Sequence, residues 1–472
     1  MERITAIAYK TEETNGGTAQ MNKFRGTFCK LALFVCLGSL TLGWAQARPF
    51  SGPDEPAVYQ RLLGKIEQIK IWDDHGHPGF PDDSDVDAMA APPGASALRL
   101  HEDNWELAAA AKELWGYPYD DLSPEHEKWL VAKKAQVRAA EPGTTYFDKV
   151  LDKVGVEYAA ANRVAMAPYL DPARFRWVAF VDNFMFPFNN QQLRERNSDQ
   201  EIYMPLQEKV LKRNMEQAGI SALPNDLSGY EQFISKVLDQ DKAKGAIAIK
   251  FEAAYFRSLH FSDPPRERAA AIYSKYRSGA VPAADEYRDF QDYIFRYLLR
   301  EAARTHMAVN LHTAVGVGDY FSLNDGNVLR LENVLRDPRY TDVTFVLLHG
   351  GYPLERQAIW LAARRNVYLD SSLMGLYLYP AEFKESLKQW LELFPDKIMF
   401  GSDCFPFNAA LGAEESYWLA VYSARTSLAA ALAEMVSAGE ISEPRALEFA
   451  HGYLHDTAAR LYGTEGTHSP GK

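Results

Sequence analysis

Trp72-Asp73-Asp74-His75-Gly76-His77-Pro78 ends a short apolar run, Ile69 to Trp72, with two histidines one residue apart. On a β-strand, residues two apart point to the same side, so His75 and His77 can aim two imidazoles at one point, as a metal-ligand pair does. Turn signals follow at once in Pro78-Gly79 and Pro81-Asp82-Asp83, which places the pair where a strand ends and its loop begins. In a (β/α)8 barrel that rim carries the function. Taken alone, the motif fits two surface histidines beside a turn equally well, so its meaning depends on what the rest of the chain brings to it.

Downstream, strand-like runs recur at Glu157–Asn162, Arg176–Asp182, Ala246–Phe251, Met307–His312, Val343–His349, Val367–Asp370 and Lys397–Phe400, which makes eight with the first. Helical patterns lie between them at Ile202–Gln217, Tyr230–Ala243, Pro265–Ser278, Ala284–Thr305, Leu354–Arg365 and Ala381–Leu393. Strands alternating with helices predict parallel βαβ units, and eight units predict an α/β fold of the (β/α)8 TIM-barrel type spanning 69–465. A stretch at 78–155 interrupts the alternation after the first strand, with helix patterns at Asn104–Trp115 and Pro124–Ala139. It fits either a lid over the barrel mouth or a peripheral helical decoration.

The composition, 47% apolar and 24% charged over 472 residues, is that of an ordinary globular chain able to bury a large core. A net charge of −12 with no lysine-rich run argues against nucleic acid as a partner. The first 47 residues differ in kind. Met21-Asn22-Lys23-Phe24-Arg25 is a basic start, Leu31 to Leu42 an apolar run and Ala45-Gln46-Ala47 a small-x-small cleavage site, which together read as a secretory signal peptide starting at Met21. The apolar run is too short for a stable membrane anchor, which calls for ~20 residues. The expectation is a periplasmic or secreted protein with a lead-in at 48–68. Cleavage after Ala47 would remove Cys29 and Cys36 and leave Cys404 alone, so no intramolecular disulfide is expected. Retention of Met1 at the mature N-terminus would contradict export.

Polar residues collect at the strand ends. Lys250 closes the fourth run, His312 the fifth and His349 the sixth, while Asp403 follows Ile398-Met-Phe-Gly-Ser at the eighth. Each has a plain alternative: Lys250 a snorkelling lysine, Asp403 a helix N-cap, Gly350-Gly351 a tight turn that happens to follow a histidine. Yet all four would converge on the rim that carries His75 and His77. The other seven of the eleven histidines end no apolar strand run, so histidine abundance does not explain the clustering.

His75-Gly-His77, His312, His349-Gly-Gly351-Tyr-Pro353 and Met399-Phe-Gly-Ser-Asp403 together resemble the amidohydrolase superfamily. More narrowly they resemble the amidohydrolase-related branch (family 2) that includes aminocarboxymuconate-semialdehyde decarboxylase-like enzymes. The closing Asp456-Thr-Ala-Ala-Arg460-Leu-Tyr462-Gly463 is similar to that branch's terminal helix. The resemblance implies a divalent metal, zinc above all, held by His75, His77 and Asp403, with His312 and His349 able to hold a second ion. It implies further that Lys250, carboxylated by carbon dioxide, bridges two ions, because a carbamate offers two anionic oxygens where an ammonium has no lone pair. Glu252, two residues on and facing the same way, is the rival bridge.

Such a site lowers the pKa of a bound water from 15.7 to roughly 7, with Asp403 moving the proton and His349 or a second metal polarising the oxygen under attack. The expected function is an exported metal-dependent hydrolase acting on an amide, ester or lactone of a small molecule. A mononuclear lyase, decarboxylase or hydratase, acting on a carboxylic acid is the enzymatic alternative, and a non-catalytic ligand-binding barrel the alternative of another class. Arg257 and Arg163, just past the fourth and second strands, are candidate carboxylate binders or structural ion-pair residues. The cluster Phe184-Met-Phe186-Pro-Phe188 could line an apolar pocket or pack beneath the insertion. A homo-oligomer is compatible with all of this.

Overall fold

The structure, a computed structural model, describes residues 55–87 and 97–463. The leader expected at 1–47 lies outside the described residues. Eight strands form one sheet: β1 (Ile71–Gly76), β2 (Val156–Arg163), β3 (Phe175–Phe180), β4 (Ala246–Phe251), β5 (Ala308–Leu311), β6 (Phe345–Leu347), β7 (Val367–Asp370) and β8 (Ile398–Met399). Each pairs in parallel with the next in chain order. Backbone bonds from Asp74 N to Phe400 O (2.9 Å) and from Asp403 N to His75 O (2.7 Å) join the last strand to the first. The expected TIM barrel is present.

Two apolar layers explain why the strands read as nearly continuous apolar runs. Inside, Trp72, Ala160, Val178, Ala248, Val346 and Met399 fill the barrel floor, closed from below by Ala458 and Ala459 of the C-terminal helix Thr457–Tyr462. Trp72 stacks on Tyr462 with ring centroids 4.9 Å apart, so that helix plugs the end opposite the site. Outside, alternate residues such as Ile71, Ile249, Val309 and Leu369 pack under the surrounding helices.

Three departures from the sequence expectation have physical causes. β6 stops at Leu347 because His349, Gly350 and Gly351 all take positive φ (62°, 55° and 72°), turning the chain sharply where a longer strand was expected. The helix expected at Leu354–Arg365 is a single turn, Glu355–Ala358, followed by a 3-10 segment, Ile359–Ala363. Helix Ala413–Ser437 was not anticipated. It is buried on most of its circumference, so its apolar residues show little of the 3.6-residue period that marks a surface helix.

Within 78–155, helices Trp105–Trp115, Pro124–Ala140 and Thr145–Val154 are described, the last of them unanticipated. They dock on Ala413–Ser437 through Trp115 Nε1 to Glu415 Oε1 (2.6 Å) and Lys134 Nζ to Glu415 (2.6 Å) and Glu414 (3.2 Å). Arg99 forks onto Glu106 and donates to Gly375 O (3.0 Å), tying the stretch to the loop after β7.

Candidate metal centre

At the C-terminal rim of the barrel a cavity of about 80 Å³ is lined by His75, His77, Lys250, Glu252, His312, His349 and Asp403. The six residues expected as ligands are thus brought together, with Glu252 among them. β1 delivers its pair by an irregularity: Trp72 and Asp74 face the barrel interior, while Asp73 faces outward and accepts from Ser402 N and Oγ (2.7 Å each). Strict alternation would send His75 outward too, but the β1–β2 register shifts between Asp73 and Gly76 and both histidines turn in.

His75, His77 and Asp403 form a compact group, one donor atom from each lying within 4.8 Å of the other two. Asp403 Oδ1 is 3.1 Å from His75 Nε2 and 3.5 Å from His77 Nε2. Its φ of 52° is unusual for a residue other than glycine, and no helix begins before Ala413, so the N-cap alternative fails. Lys250 is buried rather than snorkelling, its Nζ 3.4 Å from His75 Nε2.

Across the cavity, His312 Nε2 lies 2.9 Å from Val315 O, which can only accept, so Nε2 carries the proton and Nδ1 keeps the lone pair. That Nδ1 is 3.0 Å from His349 Nε2. On its other side, His349 Nδ1 faces Ser372 Oγ (2.9 Å) and Ser372 O (3.3 Å). Two imidazole nitrogens therefore face one point and each ring is held from behind, as second-sphere hydrogen bonds hold ligating histidines.

Burial sets the protonation. It depresses the pKa of His75, His77 and His312 well below the ordinary imidazole value and that of His349 to about 3, so all four rings are neutral near pH 7. Burial pushes Glu252 and Asp370 well above the carboxylate range, with Asp87 adding to the shift of Glu252 and Asp74 to that of Asp370. Asp74 and Asp182, also buried, rise to about 7. Among the described residues, Glu252 Oε2 and Asp182 Oδ1 are buried with no hydrogen-bond partner. Neutral imidazoles beside unpaired buried carboxyl oxygens fit a divalent cation.

Neither candidate arginine reaches this cavity. Arg163 is fully buried and bound to Pro78 O (2.6 Å), Ala165 O (3.0 Å) and Asp83 (2.6 Å), which locks the loop after β1. Arg257 pairs with Asp292 at 2.6 Å and lines a separate surface cleft. Both fill the structural role that the sequence left open. Phe184, Phe186 and Phe188 pack in the core beneath the helices after β3, not against the insertion and not in the cavity.

Other contributors had gone unnoticed. Asp370 closes β7 in the same manner as Lys250 closes β4, and it accepts from His349 N (2.7 Å). That signal was readable. Asp87, 3.3 Å from His77 Nδ1, and Tyr203, from a helix after β3, line the cavity with nothing in the sequence pattern to mark them.

Residues 230–464 match the profile of the family described as amidohydrolase, which takes in Lys250, His312, His349 and Asp403. The chain belongs to the amidohydrolase superfamily. The match is to the family as a whole rather than to its decarboxylase-like members. Protein fluG of Emericella nidulans is 26% identical over 258 residues, covering 50% of this chain and 29% of that longer protein. Glucuronate isomerase from Caulobacter crescentus shares the fold at a TM-score of 0.62 and 13% identity, over 90% of this amidohydrolase and 98% of that chain. A structure from Lactobacillus casei ATCC 334, provisionally described as a metal-dependent hydrolase, shares it at 0.57 and 18%, over 86% and 98%. The chain is a metal-dependent enzyme of this superfamily.

Proposed function

We propose that this amidohydrolase is a hydrolase that opens an amide, ester or lactone bond of a small molecule. His75, His77 and Asp403 would hold one divalent ion, His312 and His349 a second, and Lys250, once carboxylated by carbon dioxide, would supply two further anionic oxygens between them. The nitrogen-rich donor set favours zinc. The observation that carries this reading is the place of Lys250: a buried lysine in the wall that holds both histidine pairs, its Nζ 3.4 Å from His75 Nε2. Glu252 lies in the same wall but engages Asp87, which leaves Lys250 the better bridge.

A bound divalent ion supplies an acidified water and a Lewis acid for the carbonyl oxygen. The remaining work falls to the chain. Asp403, held by its backbone bond to His75 and beside both β1 imidazoles, takes the proton of the attacking water and returns it to the leaving group. The Ser372 and Val315 contacts fix the rings of His349 and His312 so that ligation costs little reorganisation. Export to the periplasm or beyond is part of the same proposal, supported by the basic start, apolar run and Ala45-Gln46-Ala47.

The test is elemental analysis and native mass measurement of protein purified without chelator, with turnover assays on amides, esters and lactones. Two ions per chain, a mass increment on Lys250 and hydrolysis of one class support the proposal. One ion with an unmodified Lys250 amine and turnover only of carboxylic acids would favour a lyase instead.

A further inference from the structure

The wall facing the ligands is apolar and, apart from Lys250, acidic. Among the described residues no arginine lines the cavity, and the ionisable lining besides the histidines and tyrosines is Asp87, Lys250, Glu252 and Asp403. Residues 88–96, which follow Asp87, contain no basic residue in sequence. Three carboxylates and a carboxylated Lys250 together offset the charge of two divalent ions, so no positive charge is left in excess and no guanidinium in the wall pairs with a substrate carboxylate to replace its lost water. The rest of the wall is Tyr203, Tyr255, Leu373, Tyr377, Phe405 and Phe407. Its rings close on the ligands: Tyr255 stands 4.6 Å from His312 and Phe405 5.8 Å from His77, centroid to centroid.

One buried tyrosine hydroxyl of this wall has no bond within the described fold. The Tyr203 side chain is 1% exposed, and among the described residues its hydroxyl has no hydrogen-bond partner. An unpartnered buried hydroxyl is a standing penalty that a ligand acceptor relieves. Tyr255, 5.8 Å from Tyr203 ring to ring, already receives Val317 N on its hydroxyl (3.4 Å), and Tyr203 has no such bond.

We infer that the substrate is an uncharged molecule with an aryl-sized apolar body, held between these rings with a polar acceptor on the Tyr203 hydroxyl. The inference rests on the hydrolase reading for the reaction, but the recognition stands on the cavity wall alone. It sets this amidohydrolase apart from enzymes that anchor a substrate carboxylate on a guanidinium, and it directs the search to neutral aryl esters, lactones and anilides.

Calorimetric binding to the metal-loaded full chain tests it without turnover. Benzohydroxamic acid, a neutral chelating probe, should bind at least about tenfold more tightly than 4-carboxybenzohydroxamic acid, the unpaired carboxylate being rejected. Tyr203→Phe should weaken benzohydroxamic acid by about tenfold while leaving Tm unchanged or raised, because the hydroxyl has no partner to lose. A residue of purely structural value would show the reverse pattern. Equal affinity for the carboxylated probe, no binding of either probe, or wild-type affinity in Tyr203→Phe would overturn the inference. Since neither probe is hydrolysed, a failed turnover panel counts against the hydrolase reading alone.

Discussion

Asp403 is held under strong constraint. It holds φ at 52°, binds His75 through its backbone and faces two imidazoles through one carboxylate oxygen. Such strain persists only where the surroundings enforce it, which fits a group whose position matters more than its comfort. Asp403→Asn should lower kcat by about 10²–10⁴ while metal content changes little, as elemental analysis beside steady-state kinetics would show; unchanged turnover would remove Asp403 from the proton path. Lys250→Ala should lose the second ion, and added short-chain carboxylate should restore part of both metal and activity by supplying the two oxygens of the carbamate. Failure of that rescue with metal retained would point to Glu252 as the bridge.

At the scale of the element, the turn after β6 and the plug under the barrel are the features most open to test. A Cβ on Gly350 would lie 2.2 Å from the Trp390 ring at a φ of +55°, so Gly350→Ala is penalised both by overlap and by backbone conformation. It should cost about 2 kcal/mol or more in chemical denaturation and should weaken metal binding by displacing His349. Tyr462 donates to Asp74 Oδ1 at 2.5 Å, and Tyr462→Phe would leave that buried carboxyl short of a partner at about 1–3 kcal/mol. The alternation of strands and helices was legible because buried parallel strands are continuous apolar runs, and Lys250, His312, His349 and Asp403 were legible because each ends or follows one. The register shift in β1 was not, since nothing in Trp72-Asp73-Asp74-His75 says where the pleat breaks. Asp87 and Tyr203 were hidden for another reason: they reach the cavity from connecting segments whose paths the sequence does not fix.

For the whole molecule, the buried charges predict how stability follows pH once metal is stripped. His75, His77, His312 and His349 titrate below the unfolded imidazole value, so the unfolded chain gains protons that the folded chain refuses as pH falls below about 6.5, and stability drops on that side. Burial lifts Asp73 to about 8 and Asp74 and Asp182 to about 7; these keep protons that the unfolded chain loses above about 4, so their contribution to stability falls progressively from about pH 4 and is lost by about pH 8. Between about pH 4 and 6.5 the two effects oppose each other, and above 6.5 only the carboxyl loss remains, so calorimetry of chelator-treated protein should give a Tm that falls from about pH 6.5 to 8, and restored divalent ion should flatten that fall. A fall on the alkaline side that metal does not change would mean that these carboxyls do not sense the site. Helix Ala413–Ser437, which anchors the insertion, escaped the sequence because burial on most sides erases the amphipathic pattern; the architecture around it was legible, the anchoring was not.

The proposed reading joins the two histidine pairs, Lys250 and Asp403 into one metal centre. Metal content per chain, determined on protein purified without chelator and on His75→Ala/His77→Ala protein in parallel, tests it most directly. The account predicts close to two divalent ions in the wild-type chain and a clear loss in the variant, with the fold intact by circular dichroism. A wild-type chain that binds no divalent ion, or a variant that binds as much as wild type, would contradict it.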